Sequence, residues 1–528
     1  MTTRSAPEGT IRTGERHAGE SQVPDRAGHR QWAGLAVLAL PCLVVSMDAH
    51  LLHLALPQIA ADLHVGGGQL LWVVDIYVFL GAGSLLTMGM VGDRIGRRRL
   101  LLVGAAAFGA ASLLAASASS AAGLVAARGL LGVAGATLMP STLALIRTMF
   151  RDGAQRRQAL GVWTASFAVG GLVGPVAGGL VLAHHSWPWV FGLAVPPMLL
   201  LLAVGRLLLP EARDPRSPRV DAVTAAASLA AILSGVFGIK ALAAGWTGPV
   251  PWLAVAAGAG LGGLLVRRAR RARPTAGPRP VGERPAFAPT GATVPLLVNA
   301  LAFFVLYGTQ YLTAQYLQLV LGLSPLAAGL WGLPGTVGYL VGSAVGPLAT
   351  RRTRPAVVVV AGLLVSATGF GLLTLVGTGA GLAAVVAGTV LFGFGLAPVY
   401  ALTTEMVVAS APGERAGTVA ATQETGAELG GALGIALLGS VSLALYRGGV
   451  ADVTAGLPAG SAGPVRGTLA GALGAAERVT GGRGADLADA ARDAFTQSYV
   501  VAEGIGVALL VAAAAGLAVL VRRGPAAG

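Results

Sequence analysis

Apolar stretches of about twenty residues alternate along the whole chain with short polar segments. A bilayer core about 30 Å thick needs roughly that length of helix to be crossed. The stretches are too long and too uniformly apolar for barrel strands, and inside hydrocarbon only a helix satisfies its own backbone within one segment. The pattern therefore predicts an all-α, polytopic membrane protein with fourteen spans, near 33–54, 69–91, 99–118, 122–146, 158–182, 188–208, 221–243, 250–267, 292–318, 326–349, 355–376, 381–404, 416–446 and 499–521. The seventh and eighth are flanked by Gly-Pro turns.

The polar segments test that count. Arginines cluster at Arg94/Arg97/Arg98/Arg99, Arg147/Arg151/Arg156/Arg157, Arg206/Arg213/Arg216/Arg219, Arg267–Arg284, Arg351/Arg352/Arg354, Arg415 and Arg522/Arg523. Each cluster follows an even-numbered span, and the short loops after odd-numbered spans hold no Lys or Arg. Cytoplasmic loops carry the positive excess, so both termini are expected inside. Residues 1–31, polar and without an apolar core, read as a disordered cytoplasmic tail rather than a cleaved signal. Residues 268–290 read as a Pro- and Arg-rich linker. Residues 447–498 read as a long external loop whose piece Asp486–Phe495 could lie as an amphipathic helix over the mouth.

A weak repeat organises the spans. Gly170, Gly174, Pro175, Gly178 and Gly179 of the fifth correspond to Gly426, Gly430, Gly431 and Gly434 of the thirteenth if spans 1–6 and 9–14 are equivalent six-helix bundles and spans 7–8 are inserted. The expected division is 32–210, 211–288 for the inserted pair with its linker, and 289–528. Pseudo-symmetric bundles around a midplane site are an alternating-access architecture.

Composition agrees with this class: 54% hydrophobic, 11% charged and 79 glycines, the last serving close helix approach in a bilayer. The net charge of +14 lies in loop clusters, not on one face, so no nucleic-acid partner is implied. Cys42 is the only cysteine, leaving no disulfide framework or cysteine metal site. No phosphate-binding loop, nucleophile motif or metal cluster appears, so the chain reads as no enzyme and as needing no cofactor. Energy would come from an ion gradient.

The most specific local signal is Gly89-Met-Val-Gly-Asp93-Arg94-Ile-Gly96-Arg97-Arg98-Arg99, where span two returns to the cytoplasm. Glycine permits a tight turn there, and Asp93 can cap a helix start or pair with an arginine across the bundle. An ordinary basic loop is the plainer alternative. The spacing resembles the signature loop of the major facilitator superfamily. The chain further resembles its fourteen-span drug:proton antiporters of the QacA and SmvA type. The likeness is carried by Met47-Asp48, Ala55-Leu56-Pro57, Leu71-Trp72-Val-Val-Asp75-Ile76-Tyr77, Arg128-Gly129-Leu-Leu-Gly132-Val-Ala-Gly135, Gly170 to Gly179 and Tyr316-Leu-Gln318, and it covers about residues 32–523. It implies a major facilitator fold, a gating role for Gly89, Asp93, Arg94, Gly96 and Arg97, and an antiporter motif at Gly170, Gly174, Pro175, Gly178 and Gly179. Generic glycine packing is the other reading of that motif.

Each ionisable side chain at mid-bilayer costs about 2.5–3.5 kcal/mol and needs a reason. Seven stand out: Asp48, Asp75, Arg128, Lys240, Glu405, Glu424 and Glu428. The resemblance implies proton-coupling or substrate roles for Asp48, Asp75, Arg128, Glu424 and Glu428. A carboxylate that binds either a proton or an organic cation makes an exchanger. Structural hydrogen bonds or salt bridges remain open for all five, and stabilisation of the external mouth for Asp75. Glu405 reads as interfacial, and Lys240 as snorkelling outward. His50 and His53 could tune coupling or simply pack. Trp72, Tyr77, Trp163, Tyr311, Trp331 and Tyr339 are candidate cavity aromatics for cation–π contact, or interfacial anchors. The expected partners are lipophilic cationic or neutral drugs, protons and the bilayer, acted on by a monomer. Export of one endogenous antibiotic and proton-coupled uptake are the rival functions.

Overall fold

The computed structural model describes residues 26–213, 222–243, 246, 248–271, 293–377, 381–409, 416–455, 459–479 and 482–523. Tail residues 1–25, most of the linker, and Arg216, Arg219 and Arg415 lie outside them. The described chain is helical throughout: α1 (His29–Asp62), α2 (Gly67–Ile95), α3 (Arg97–Ala116), α4 (Ala121–Met149), α5 (Gly153–His184), α6 (Pro188–Gly192), α7 (Val195–Leu208), α8 (Ala222–Ala243), α9 (Pro249–Arg271), α10 (Thr293–Gln315) with a π-helical turn over Tyr316–Val320, α11 (Pro325–Ala349), α12 (Pro355–Leu373), α13 (Gly381–Ala409), α14 (Ala416–Gly449), α15 (Ala451–Ala455), α16 (Ala459–Gly467), α17 (Leu469–Ala476) and α18 (Gly482–Arg523).

Among the described residues, eleven candidate spans are long and apolar enough to cross a membrane. The three remaining expected spans coincide with α8, α9 and α11. The sixth is broken into α6 and α7 just before Pro196 and Pro197, where a missing amide donor interrupts the helix ladder.

Helix packing repeats between the halves. In the first, α1 lies against α5, α2 against α4, and α3 against α4 and α7; in the second, α10 lies against α14, α11 against α13, and α12 against α13 and α18. The seams are lined by glycines because backbones approach there: a Cβ on Gly170 would come within 2.5 Å of the Leu43 carbonyl oxygen, and one on Gly430 or Gly434 would strike the Ala300 or Phe304 carbonyl. The hairpin α8–α9 packs on α2 and, more lightly, on α14.

The halves meet mainly through α2 against α14 and α5 against α11. Both contacts are at the same end. Gly67 and Leu71 of α2 approach Leu443 and Gly439 of α14, while Pro175 and Gly179 of α5 approach Gly329 and Leu326 of α11. This is the end at which the sequence places the external loops.

That loop corrects one expectation. Asp486–Phe495 is not a separate helix over the mouth but part of α18, whose 42 residues rise about 63 Å, twice the hydrocarbon thickness. The shorter α17 packs on α1 and α18 instead, and the Tyr446 hydroxyl donates to the carbonyls of Val465 and Thr468.

Candidate functional site

The loop between α2 and α3 turns on Gly96, whose φ of +111° is open to glycine and strained for other residues. Asp93 pairs with Arg97, one turn on, rather than with an arginine across the bundle as the sequence suggested. The wider tie runs to the segment after α7. The Arg98 amide donates to Glu211 at 3.1 Å, its guanidinium to the Leu209 carbonyl at 3.0 Å, and the Arg97 amide to the Ala212 carbonyl at 2.8 Å. Arg94 is exposed, and a Cβ on Gly89 would meet nothing within 4 Å. Glu211 was missed in the sequence because no spacing links it to the motif.

In the middle of α1, Asp48 meets Arg128 of α4: Nη1 lies 2.7 Å from Oδ2, with Asp48 7% and Arg128 1% exposed. The guanidinium also donates through Nε to the Val73 carbonyl at 3.3 Å and lies 4.3 Å from the centroid of the Tyr77 ring. Asp48 is thus no free carboxylate in this conformation. His50 engages the Ser46 carbonyl of its own helix, while His53 stands edge-on to Tyr311 with Nδ1 unpartnered.

Glu424 and Glu428 approach from α14. Glu424 is exposed and Glu428 half-buried, yet they face inward, within electrostatic reach of Tyr307 of α10 and Tyr400 of α13; Tyr339 of α11 is near Glu424. Tyr77 lies within electrostatic reach of both Asp48 and Glu428. Their neighbour Gln423 is turned away and donates to Thr404 Oγ1 at 2.7 Å. Glu405 is exposed at the end of α13, consistent with an interfacial place.

Asp75 belongs to a different neighbourhood. It is fully buried and pairs with Lys240 of α8, with Nζ at 2.6 Å from Oδ2. Nζ also lies 4.4 Å from the centroid of the Trp72 ring. Lys240 therefore points into the protein, at 6% exposure, and does not snorkel to the interface. A cavity of about 400 Å³, lined by Trp72, Phe237, Trp246, Lys240 and Arg447 among others, opens beside this pair.

The motif of α5 is sandwiched. Gly170, Gly174 and Gly178 face α1 at Leu43, Met47 and Leu51, while Gly179 and the Pro175 carbonyl face α11 at Leu326 and Gly329. The candidate aromatics do not form one lining. Tyr77 and Tyr339 approach the central acids, Trp72 covers Lys240, Trp163 donates to Thr142 and stacks edge-on against Phe167, Tyr311 meets His53, and Trp331 is 43% exposed. Among the described residues no group of side chains could hold a metal ion.

One intramembrane acid escaped the sequence reading. Glu503 of α18 is 1% exposed. Its Oε2 accepts from Thr309 Oγ1 of α10 at 2.9 Å, and its Oε1 has no partner. A lone glutamate in the apolar run Val500–Leu510 was the available signal.

A model of the Major Facilitator Superfamily matches residues 38–435. The multidrug efflux pump LfrA of Mycolicibacterium smegmatis is 40% identical over 498 residues, covering 94% of this chain and 98% of LfrA. The methyl viologen resistance protein SmvA of Salmonella typhimurium is 33% identical over 500 residues, covering 92% and 98%. A solved bacterial homolog of the human lysosomal transporter Spinster, inward-facing and occupied, superposes with a TM-score of 0.62 at 17% identity, covering 94% of this chain and 98% of that one. That likeness is one of fold alone. With backbone, span pattern and relatives in agreement, this chain belongs to the major facilitator superfamily.

Proposed function

We propose that the chain is a proton-coupled multidrug efflux antiporter that exports lipophilic cationic or neutral compounds by alternating access. The observation that carries this is the buried Asp48–Arg128 pair in the first half of the chain, with Asp48 and the Glu428 of α14 both within electrostatic reach of Tyr77. Relatives named as a multidrug efflux pump and a methyl viologen resistance protein support the substrate class.

The residues suggest a sequence of events. A lipophilic cation enters between the bundles from the cytoplasm, the side away from the α2–α14 and α5–α11 contacts. Glu424, exposed and without an ion-pair partner among the described residues, attracts it, while Tyr307, Tyr339 and Tyr400 offer ring faces. Asp48 is held by Arg128 and becomes available to a proton only when that pair parts. Closure of the inner end and opening of the outer would then let protons displace the cargo. The parts in this scheme are bundles 32–210 and 289–528, with residues 211–288 inserted, both termini cytoplasmic, and a functional monomer. The Gly89–Arg99 loop, tied to Glu211, serves as the inner latch, and Gly170–Gly179 as the seam on which α5 moves.

Export of a single antibiotic is the second reading, favoured by 33% identity over 414 residues to the tetracenomycin C resistance and export protein of Streptomyces glaucescens. In proteoliposomes, Asp48→Asn and Glu424→Gln are each expected to reduce pH-driven efflux of a monovalent lipophilic cation at least about tenfold, equivalent to about 1.4 kcal/mol, without changing folded yield. Undiminished proton-coupled flux in either variant refutes the scheme. Flux of one compound class alone selects the second reading.

A further inference from the structure

Two of the buried acids in the spans have cations against them: Asp48 has Arg128, and Asp75 has Lys240. Glu503 has none among the described residues. It is closed off from solvent and touches α10, the helix that also packs on the acid-bearing α14.

Its surroundings are built. Thr309 donates to Oε2, and one turn along both antiparallel helices Thr313 and the Tyr499 hydroxyl are 3.0 Å apart. Tyr499 stacks on Tyr316, centroids 5.1 Å apart, and Tyr316 donates to the Gly377 carbonyl at 2.6 Å. From α12, the Phe370 ring lies against Gly506; from α14, Ser442 bonds Ser498. Among the described residues the titratable side chain facing Glu503 is therefore Tyr499, with Tyr316 stacked behind it. The nearest arginine of its own helix, Arg492, is eleven residues away, about 16 Å along the axis, and engaged with Asp489.

A carboxylate in such a place is uncompensated, and a buried charge without a partner is strongly disfavoured. A neutral carboxyl suits the site, with Oε2 accepting from Thr309 and the acid proton on Oε1. The polar ladder ends on the π-helical turn Tyr316–Val320, a local change of pitch of a kind that recurs at functional sites. A shift of α10 against α18 would open the ladder from this end.

We propose that Glu503 is a second proton-binding site, in the C-terminal bundle and separate from the Glu424/Glu428 site, loaded in this conformation and emptied when α10 moves against α18. The inference rests on proton-coupled export. It adds that a monovalent cation leaves in exchange for two protons, so the cycle moves one net positive charge inward and a negative-inside potential drives it.

Two measurements on the full-length protein test this. In reconstituted protein, infrared spectra are expected to show a protonated-carboxyl band that is missing from Glu503→Gln and changes when tetraphenylphosphonium is added. In proteoliposomes, tetraphenylphosphonium efflux by the parent is expected to respond to a valinomycin-imposed potassium potential, whereas Glu503→Gln, with one coupled proton in place of two, retains a reduced pH-driven flux and loses that response. No missing band, a band indifferent to the cation, a parent indifferent to the potential, or a variant with the parent's response overturns the proposal. Should Glu503→Gln stop all flux, the band decides. A parent without any pH-driven flux refutes the export reading instead and leaves the infrared result to judge Glu503.

Discussion

Removing Lys240 should loosen the α8–α9 hairpin from α2, on which it rests. The ammonium and the Asp75 carboxylate are 2.6 Å apart with side chains 5% and 0% exposed. At an effective dielectric near 20, their attraction is about 6 kcal/mol. Burying both charges offsets most of that, so the pair adds little net stability over an apolar replacement. Breaking it is another matter. A lone buried charge typically costs about 3–5 kcal/mol, and Lys240→Met also forfeits the contact with Trp72, worth about 2 kcal/mol when desolvated. Lys240→Met and Asp75→Asn should each lower the apparent melting temperature in detergent by a few degrees. The double variant, with neither charge and nearly the same volume, should recover most of the loss. The assay is scanning fluorimetry of all four proteins in one detergent. If the single variants melt with the parent, or if the double loses the sum of the singles, the pair does not hold the hairpin.

Four further expectations are smaller in scope, and the first two set one glycine against another. Gly434→Val should reduce folded yield sharply, because a Cβ there strikes the Phe304 carbonyl and overpacking costs about 1–3 kcal/mol or more. Gly426→Ala, with nothing within 4 Å of its added carbon, should express like the parent, as fluorescence size-exclusion profiles would show. Gly96→Ala should destabilise by about 1–3 kcal/mol through its positive φ, aggravated by contact with Glu211. Adding Glu211→Ala should not restore the loss in the same melting assay, since the torsion remains and the hydrogen bond from the Arg98 amide to Glu211 is removed as well.

The sequence carried the helices of the spans well, because the length of apolar chain needed to cross hydrocarbon is a local property. Of the seam glycines, Gly170 carried close packing as one of its two readings and Gly434 entered only through the repeat, and a Cβ on either would strike backbone. Partners were another matter. Asp48 and Arg128 were each recognised as costly residues needing a reason, but eighty positions separate them, and only folding showed each to be the reason for the other. Lys240 looked like a snorkelling end because α8 was read alone. Its target, Asp75, is 165 residues earlier. Glu503 was passed over for a local reason. With the last span taken to begin at 499, a glutamate at its fifth position resembles a boundary residue. The helix in fact begins at Gly482, which leaves Glu503 well within it, against α10. The aromatic set kept two readings, cavity lining or interfacial anchor, since ring type says nothing of which face of a helix a residue occupies.

Cys42 offers a practical opening. The chain's one thiol is wholly enclosed in α1 and directed at the Leu38 carbonyl. Maleimide reagents should therefore find almost no native competitor, and cysteines introduced in pairs would be labelled without first stripping the background. One pair bridging Gly68 and Arg447, another spanning Arg151 and Thr350, would convert the two ends of the molecule into spin-label distances that alternating access makes rise and fall in opposition.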